Sequence, residues 1–314
     1  MKRSLLTLLL ACFCILVGAQ EADGTYFFAQ RDTCNLFMDV YNPSRQSERT
    51  FQGKAKPTIL FVFGGGFIMG RRSDPYYLPW FRLLNQNGYR VITIDYRLGL
   101  KGLRMRFDLF HLIESAELTK KAVDIGVEDV FAAVRYIADN AETLEVDMDN
   151  IVIAGSSAGA MISLSSEWEV CNGSERTAVL PEGFRFAGVM SFAGAIMSTT
   201  GVPAYATEPC PQLLIHGTAD GAVAYNKLSF GKRGMFGSAF LTDNVLKKNG
   251  YVFHMYRFRD HTHDMAGHMM ATWPLQKEFL EQDVILGNRM TIDATIDDPN
   301  VPKLESVDLS DIYK

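Results

Sequence analysis

The sequence predicts a single α/β domain, a mainly parallel sheet with helices on both faces. Short, nearly continuous apolar runs recur along the chain, as in strands buried on both sides. Segments of helical spacing lie between them, so strand and helix alternate. About 295 residues remain after an N-terminal leader, with no Pro/Ser-rich linker or repeat, which suits one domain.

The leader is residues 1–20. Lys2 and Arg3 precede the apolar run Leu5 to Val17, and Val17-Gly18-Ala19 offers small residues for cleavage before Gln20 or Glu21, the layout of a secretory signal peptide. About thirteen apolar residues fall short of the roughly 20 that a spanning helix needs, so no stable membrane insertion is expected. Leu9-Leu10-Ala11-Cys12 loosely resembles a lipoprotein signal, which leaves a lipid-anchored form as the alternative to a secreted or periplasmic one.

Composition narrows the function classes. A chain with 47% hydrophobic residues and a formal charge of −5 can bury a large core and has no basic patch for nucleic acid, so nucleic-acid partners are excluded. Three cysteines follow the leader, Cys34, Cys171 and Cys210, and in an export context Cys171 with Cys210 is the expected disulfide. No Cys/His spacing suggests a metal site, and no cofactor is expected.

Taken in order, Leu36 to Tyr41 alternates enough for an early strand, closed by the turn Tyr41-Asn42-Pro43-Ser44. Thr58 to Phe63 and Val91 to Asp95 are apolar strands, with a helix over Leu78 to Asn87 between them. Val127 to Asn140 has helical spacing at Val130, Val134 and Ile137. Strands follow at Ile151 to Ala154, Phe186 to Ser191, Gln212 to His216 and Val252 to Phe258, with a helix over Leu241 to Asn249. Residues 98–119 are mixed in character and read as a small lid-like insertion. The catalytic domain is expected over 21–290, and 291–314, acidic and with two prolines, as a surface wrap or partly disordered tail.

The chemistry centres on IVIAGSSAGAM, residues 151–161. A β-branched run ends in Gly155-Ser156-Ser157-Ala158-Gly159, and a helix can begin at Ala160. In Gly-x-Ser-x-Gly the outer glycines let strand and helix approach closely, which pushes the middle residue out at the end of the strand. That residue is Ser157. A serine hydroxyl needs a base in reach and an acid to orient the base. Pro211 to Asp220 is an apolar strand entering a Gly-containing loop, so Asp220 reaches the same sheet edge as Ser157 and is the leading acid. His261, His263 and His268 follow the strand ending near Phe258; His263 leads as base, with His261 and His268 as alternatives. His216 reads as a packed residue near the site. Backbone amides can stabilise a developing oxyanion, and Gly64-Gly65-Gly66 follows a buried strand directly. The amides of Gly65, Gly66 and Ala158 are the candidate hole; a phosphate cradle is disfavoured because no Gly-Lys-Ser/Thr follows.

Five segments in order, LFMDVYNP, FGGGF, DYRL, GSSAGA and LLIHGTAD, resemble those of exported α/β-hydrolases of the carboxylesterase and lipase type, over nearly everything from Leu36 to about Leu280. The resemblance implies an eight-stranded sheet, Ser157 as nucleophile, Asp220 as acid and His263 as base. It departs at Phe63, where hormone-sensitive-lipase-like relatives carry a histidine and cholinesterase-like members an aromatic residue. Asp95 and Arg97 are expected to fix loops.

The expected activity is hydrolysis of a carboxylic ester, small or carbohydrate-linked, through an acyl-serine. A serine peptidase of the same fold and a binding protein on an inactive hydrolase scaffold are the alternatives. Tyr76 to Trp80 and Phe107 to Leu112 are candidates for an acyl pocket, against a core role.

Overall fold

The computed structural model describes residues 21–105 and 111–304. The leader, the possible lipidation cysteines, residues 106–110 of the expected insertion and the last ten residues lie outside that range.

Fourteen strands are present in chain order among the described residues. They are β1 (Gly24–Gln30), β2 (Asn35–Tyr41), β3 (Thr50–Phe51), β4 (Lys54–Ala55), β5 (Thr58–Val62), β6 (Arg90–Ile94) and β7 (Ile151–Ser156). The remainder are β8 (Gly188–Phe192), β9 (Ala195–Ser198), β10 (Gln212–Gly217), β11 (Lys227–Phe230), β12 (Arg233–Gly237), β13 (Phe253–Phe258) and β14 (Thr291–Ile296). Nine of them form the central sheet in the order β1-β2-β6-β5-β7-β8-β10-β13-β14. The β1–β2 and β2–β6 pairs are antiparallel, and the other pairs are parallel. The fold is that of an α/β-hydrolase. Strands β5, β6, β7, β8 and β10 are buried at every position, which is why they read as unbroken apolar runs rather than alternating ones.

The principal helices are α1 (Leu78–Gln86), α2 (Leu112–Asp139), the short α3 (Ala141–Leu144) and α4 (Ala158–Asn172). Helix α4 is buried along most of its length and packs on α2, β7 and β8.

Four expectations need correction. The sheet has nine strands rather than eight, because both edges carry a strand with half-exposed, alternating burial. The start of the acidic tail is one of these: β14 pairs in parallel register with β13, its Ile292, Ala294 and Ile296 packing against the core. The lid-like insertion divides, since residues 112–119 are the first turns of α2, which begins fifteen residues before the expected helix over Val127 to Asn140. Cys171 and Cys210 are free thiols. The Glu167 carboxylate contacts both residues: its Oε1 faces Cys171 Sγ at 3.1 Å and accepts from the Cys210 amide at 2.8 Å. Burial, then the Glu167 charge, pushes the Cys171 thiol well up from its ordinary value.

Arg97 pairs with the buried Asp129 at 2.9 Å, and Asp95 with Arg72 at 2.6 Å, so both hold the loops after β6 as expected.

Candidate active site

Strand β7 ends in a bend at Ser157, whose φ of 52° and ψ of −117° lie where residues with a side chain seldom go. The flanking glycines permit the bend. A Cβ on Gly159 would come within 2.1 Å of the Val62 carbonyl oxygen, and one on Gly155 within 2.2 Å of the Gly159 oxygen. Strand β5, strand β7 and the start of α4 thus converge too tightly for any side chain at either position.

The two adjacent serines have different surroundings. Ser156 is buried and its hydroxyl donates to the Ala266 carbonyl at 2.8 Å. Ser157 is half-buried, and its Oγ lies 2.7 Å from His263 Nε2. His263 opens a 3-10 turn, His263–Ala266, placed after β13; Ser156 therefore ties to the bend at Ser157 the same turn that carries the histidine.

On its other side, His263 Nδ1 lies 2.8 Å from Asp220 Oδ2, in the loop after β10. The same oxygen faces His216 Nε2 at 3.0 Å, and Asp220 Oδ1 accepts from the amides of Ala222 and Val223 at 2.8 and 2.9 Å. Burial raises the cost of a charge here, but the hydrogen bonds from His216 and His263 outweigh it and hold the Asp220 carboxyl well below the usual carboxylate range. The structure thus brings Ser157, His263 and Asp220 into one chain of hydrogen bonds. His216, a packed neighbour in the sequence reading, is a direct partner of the acid.

His261 and His268 do not reach Ser157 in the described contacts. His261 Nδ1 lies 2.9 Å from Asp264 Oδ2, and His268 Nε2 lies 3.4 Å from the same oxygen.

Gly65 and Gly66 have φ of 124° and 62°, and the turn they open is closed by Ile68 and Met69 amides donating to the Gly65 oxygen. Phe63 stacks on Tyr96 at 4.4 Å, and the Tyr96 hydroxyl donates to the Phe63 carbonyl at 3.1 Å. The Gly64 amide donates to the Tyr77 hydroxyl at 3.1 Å. Two tyrosines therefore hold the loop that a histidine at position 63 would otherwise brace. The signal for this lies in Tyr96 of DYRL and in Tyr77, which the sequence groups with a candidate acyl pocket.

Two recesses flank Ser157. One is mainly apolar, with Phe67, Met161, Met197, Val223, Leu228 and Met235 beside Gly66, Ala158 and His263. One wall comes from the first turns of α2, through Ile113, Ala116 and Thr119; the facing wall is the β11–β12 hairpin, which joins β9 in a separate three-stranded sheet. An ion pair from Arg233 to Glu117 ties the hairpin to α2. The other recess holds Gly65, Tyr76, Tyr77, Asp264 and Leu304. Trp80, by contrast, is core, donating to Gln276 at 2.8 Å.

Comparison with known proteins points the same way. Residues 14–183, more than half of the chain, match the model of the carboxylesterase family, and residues 99–274 match a phospholipase/carboxylesterase model. The para-nitrobenzyl esterase of Bacillus subtilis is 30% identical over 132 residues, 42% of this chain and 24% of its own length. Esterase E4 of Myzus persicae is 30% identical over 146 residues, 46% of this chain and 23% of its own. The matched segment thus spans about a quarter of these relatives' length. Among solved structures, the apo form of Thermogutta terrifontis esterase 2 superposes with a TM-score of 0.57 at 17% identity, covering 85% of this chain and 97% of that one.

Proposed function

The chain belongs to the carboxylesterase family, and from that premise we propose that it hydrolyses carboxylic esters through an acyl-enzyme on Ser157. The observation that carries the reading is the unbroken run Ser157 Oγ, His263 Nε2, His263 Nδ1, Asp220 Oδ2, with separations of 2.7 and 2.8 Å across the imidazole. An ionised Asp220 accepts a hydrogen bond from the protonated Nδ1, which leaves Nε2 with a lone pair facing the serine hydroxyl.

Ser157 Oγ attacks the ester carbonyl while its proton passes to His263 Nε2. The carbonyl oxygen becomes an oxyanion, and the amides of Gly65, Gly66 and Ala158 are its proposed donors, each worth about 3 kcal/mol in sites of this kind. His263 then protonates the leaving alcohol as the carbon–oxygen bond breaks. Water, deprotonated by His263, attacks the acyl-serine and releases the acid, and the proton returns to Ser157.

The leader over residues 1–20 supports an exported enzyme. The apolar recess beside Ser157 supports an apolar acyl group as the part of the substrate it receives. Ser157→Ala tests the mechanism: it should abolish hydrolysis of p-nitrophenyl esters and labelling by a fluorophosphonate. Wild-type turnover in that variant would defeat the assignment.

A further inference from the structure

The loop that carries His263 holds a second group of donors that the hydrolytic reading does not use. One ring nitrogen each of His261 and His268 and one Asp264 carboxylate oxygen all lie within 4.8 Å of one another. Asp264 Oδ2 is 2.9 Å from His261 Nδ1 and 3.4 Å from His268 Nε2. His261 and Asp264 are almost wholly buried, with side-chain exposures of 2% and 1%. Among the described residues, Asp264 Oδ1 and His268 Nε2 are buried without a hydrogen-bond partner. Leaving the His268 nitrogen buried and unpaired is costly unless something else satisfies it.

We propose that His261, Asp264 and His268 bind one zinc ion, which clamps the turn bearing His263. Two imidazole nitrogens and one carboxylate oxygen suit zinc, with water as a fourth ligand. Ligands about 2.0–2.1 Å from a tetrahedral ion stand about 3.3 Å apart, close to the 2.9 and 3.4 Å that separate Asp264 Oδ2 from the two histidines. The Leu304 amide donates to Asp264 Oδ2 at 3.1 Å, the kind of outer contact that orients a ligating carboxylate. His263 lies in sequence between two of the ligands, so the ion would fix the turn without touching Ser157.

The test uses metal-stripped full-length protein titrated with Zn2+ alone, read by bound metal per chain and by the thermal midpoint. Co2+ is the spectroscopic probe, since a four-coordinate site gives intense visible absorption. One ion per chain, a raised midpoint and that absorption are expected. Asp264→Asn and the more peripheral His268→Leu should each weaken binding by more than the roughly 10–100-fold that losing an outer contact costs. His263→Gln should keep it. Failure of the wild type to bind, or unchanged binding in a His268→Leu protein with native circular dichroism, overturns the proposal. So does an equal loss in His263→Gln, which would assign the ion to the triad.

Discussion

His216 Nε2 lies 3.0 Å from Asp220 Oδ2, the same oxygen that faces His263 Nδ1 at 2.8 Å. The groups around His216 Nε2, the carboxylate and the Val223 carbonyl, are both acceptors, so this nitrogen carries a proton and donates. His216 thereby fixes the acid before the acid fixes the base. A hydrogen bond to a charged group is worth about 1.5–3 kcal/mol, so His216→Leu should lower kcat about 10–100-fold. Steady-state kinetics should show the loss in kcat with KM little changed, as expected for a residue that orients the triad.

The depressed pKa of Asp220 has a consequence for stability. The unfolded chain takes up this proton near the ordinary carboxylate value of about 3.9, whereas the folded protein takes it up only at lower pH. The stabilisation is therefore complete above that value and is lost as the medium is acidified below it. Thermal melts across acidic pH should show a steeper loss of midpoint in the wild type than in Asp220→Asn, and parallel curves would contradict this.

Ser156 and Ser157 should separate stability from turnover. Ser156→Ala removes the bond to the Ala266 carbonyl and leaves that oxygen unpaired, a cost of about 1–3 kcal/mol. Chemical denaturation should register that loss while fluorophosphonate labelling of Ser157 persists. Ser157→Ala should show the reverse pattern.

The apolar recess predicts a chain-length trend. Each buried methylene is worth about 0.8 kcal/mol, so kcat/KM should rise about fourfold per CH2 from acetyl esters upward until the recess is filled. Leu228 and Phe230, both exposed on the β11–β12 hairpin, stand along its wall. Leu228→Ser with Phe230→Ser should flatten the slope across a p-nitrophenyl ester series.

The interior strands and the bend at Ser157 were legible because both leave a strong local mark: unbroken apolar runs in β5, β7 and β10, and two glycines that strand–helix contact requires. The meeting of Asp220 and His263 was legible by their place after β10 and β13. What escaped has a weaker signature. Strand β14 alternates polar and apolar residues over six positions, and its two acidic neighbours resemble those of a tail. Helix α2 begins within a stretch whose buried face is set by packing on other elements rather than by a clear cap; His111 makes no side-chain cap there. The cysteine spacing suggested a bridge, but Cys171 instead meets the carboxylate of Glu167, one turn earlier on α4, which also accepts from the Cys210 amide. The cover of the apolar recess is a hairpin formed after β10, a pairing that depends on β9 and on tertiary contact rather than on local sequence.

The backbone bend at Ser157 also sets competence against durability. A residue with a β-carbon held at a φ of 52° carries strain of about 1–3 kcal/mol that glycine would relieve. Ser157→Gly should melt at a higher temperature than its parent while turning over no ester. Breeding this chain for heat resistance alone would therefore drift position 157 toward glycine, and only selection for catalysis keeps a hydroxymethyl group there.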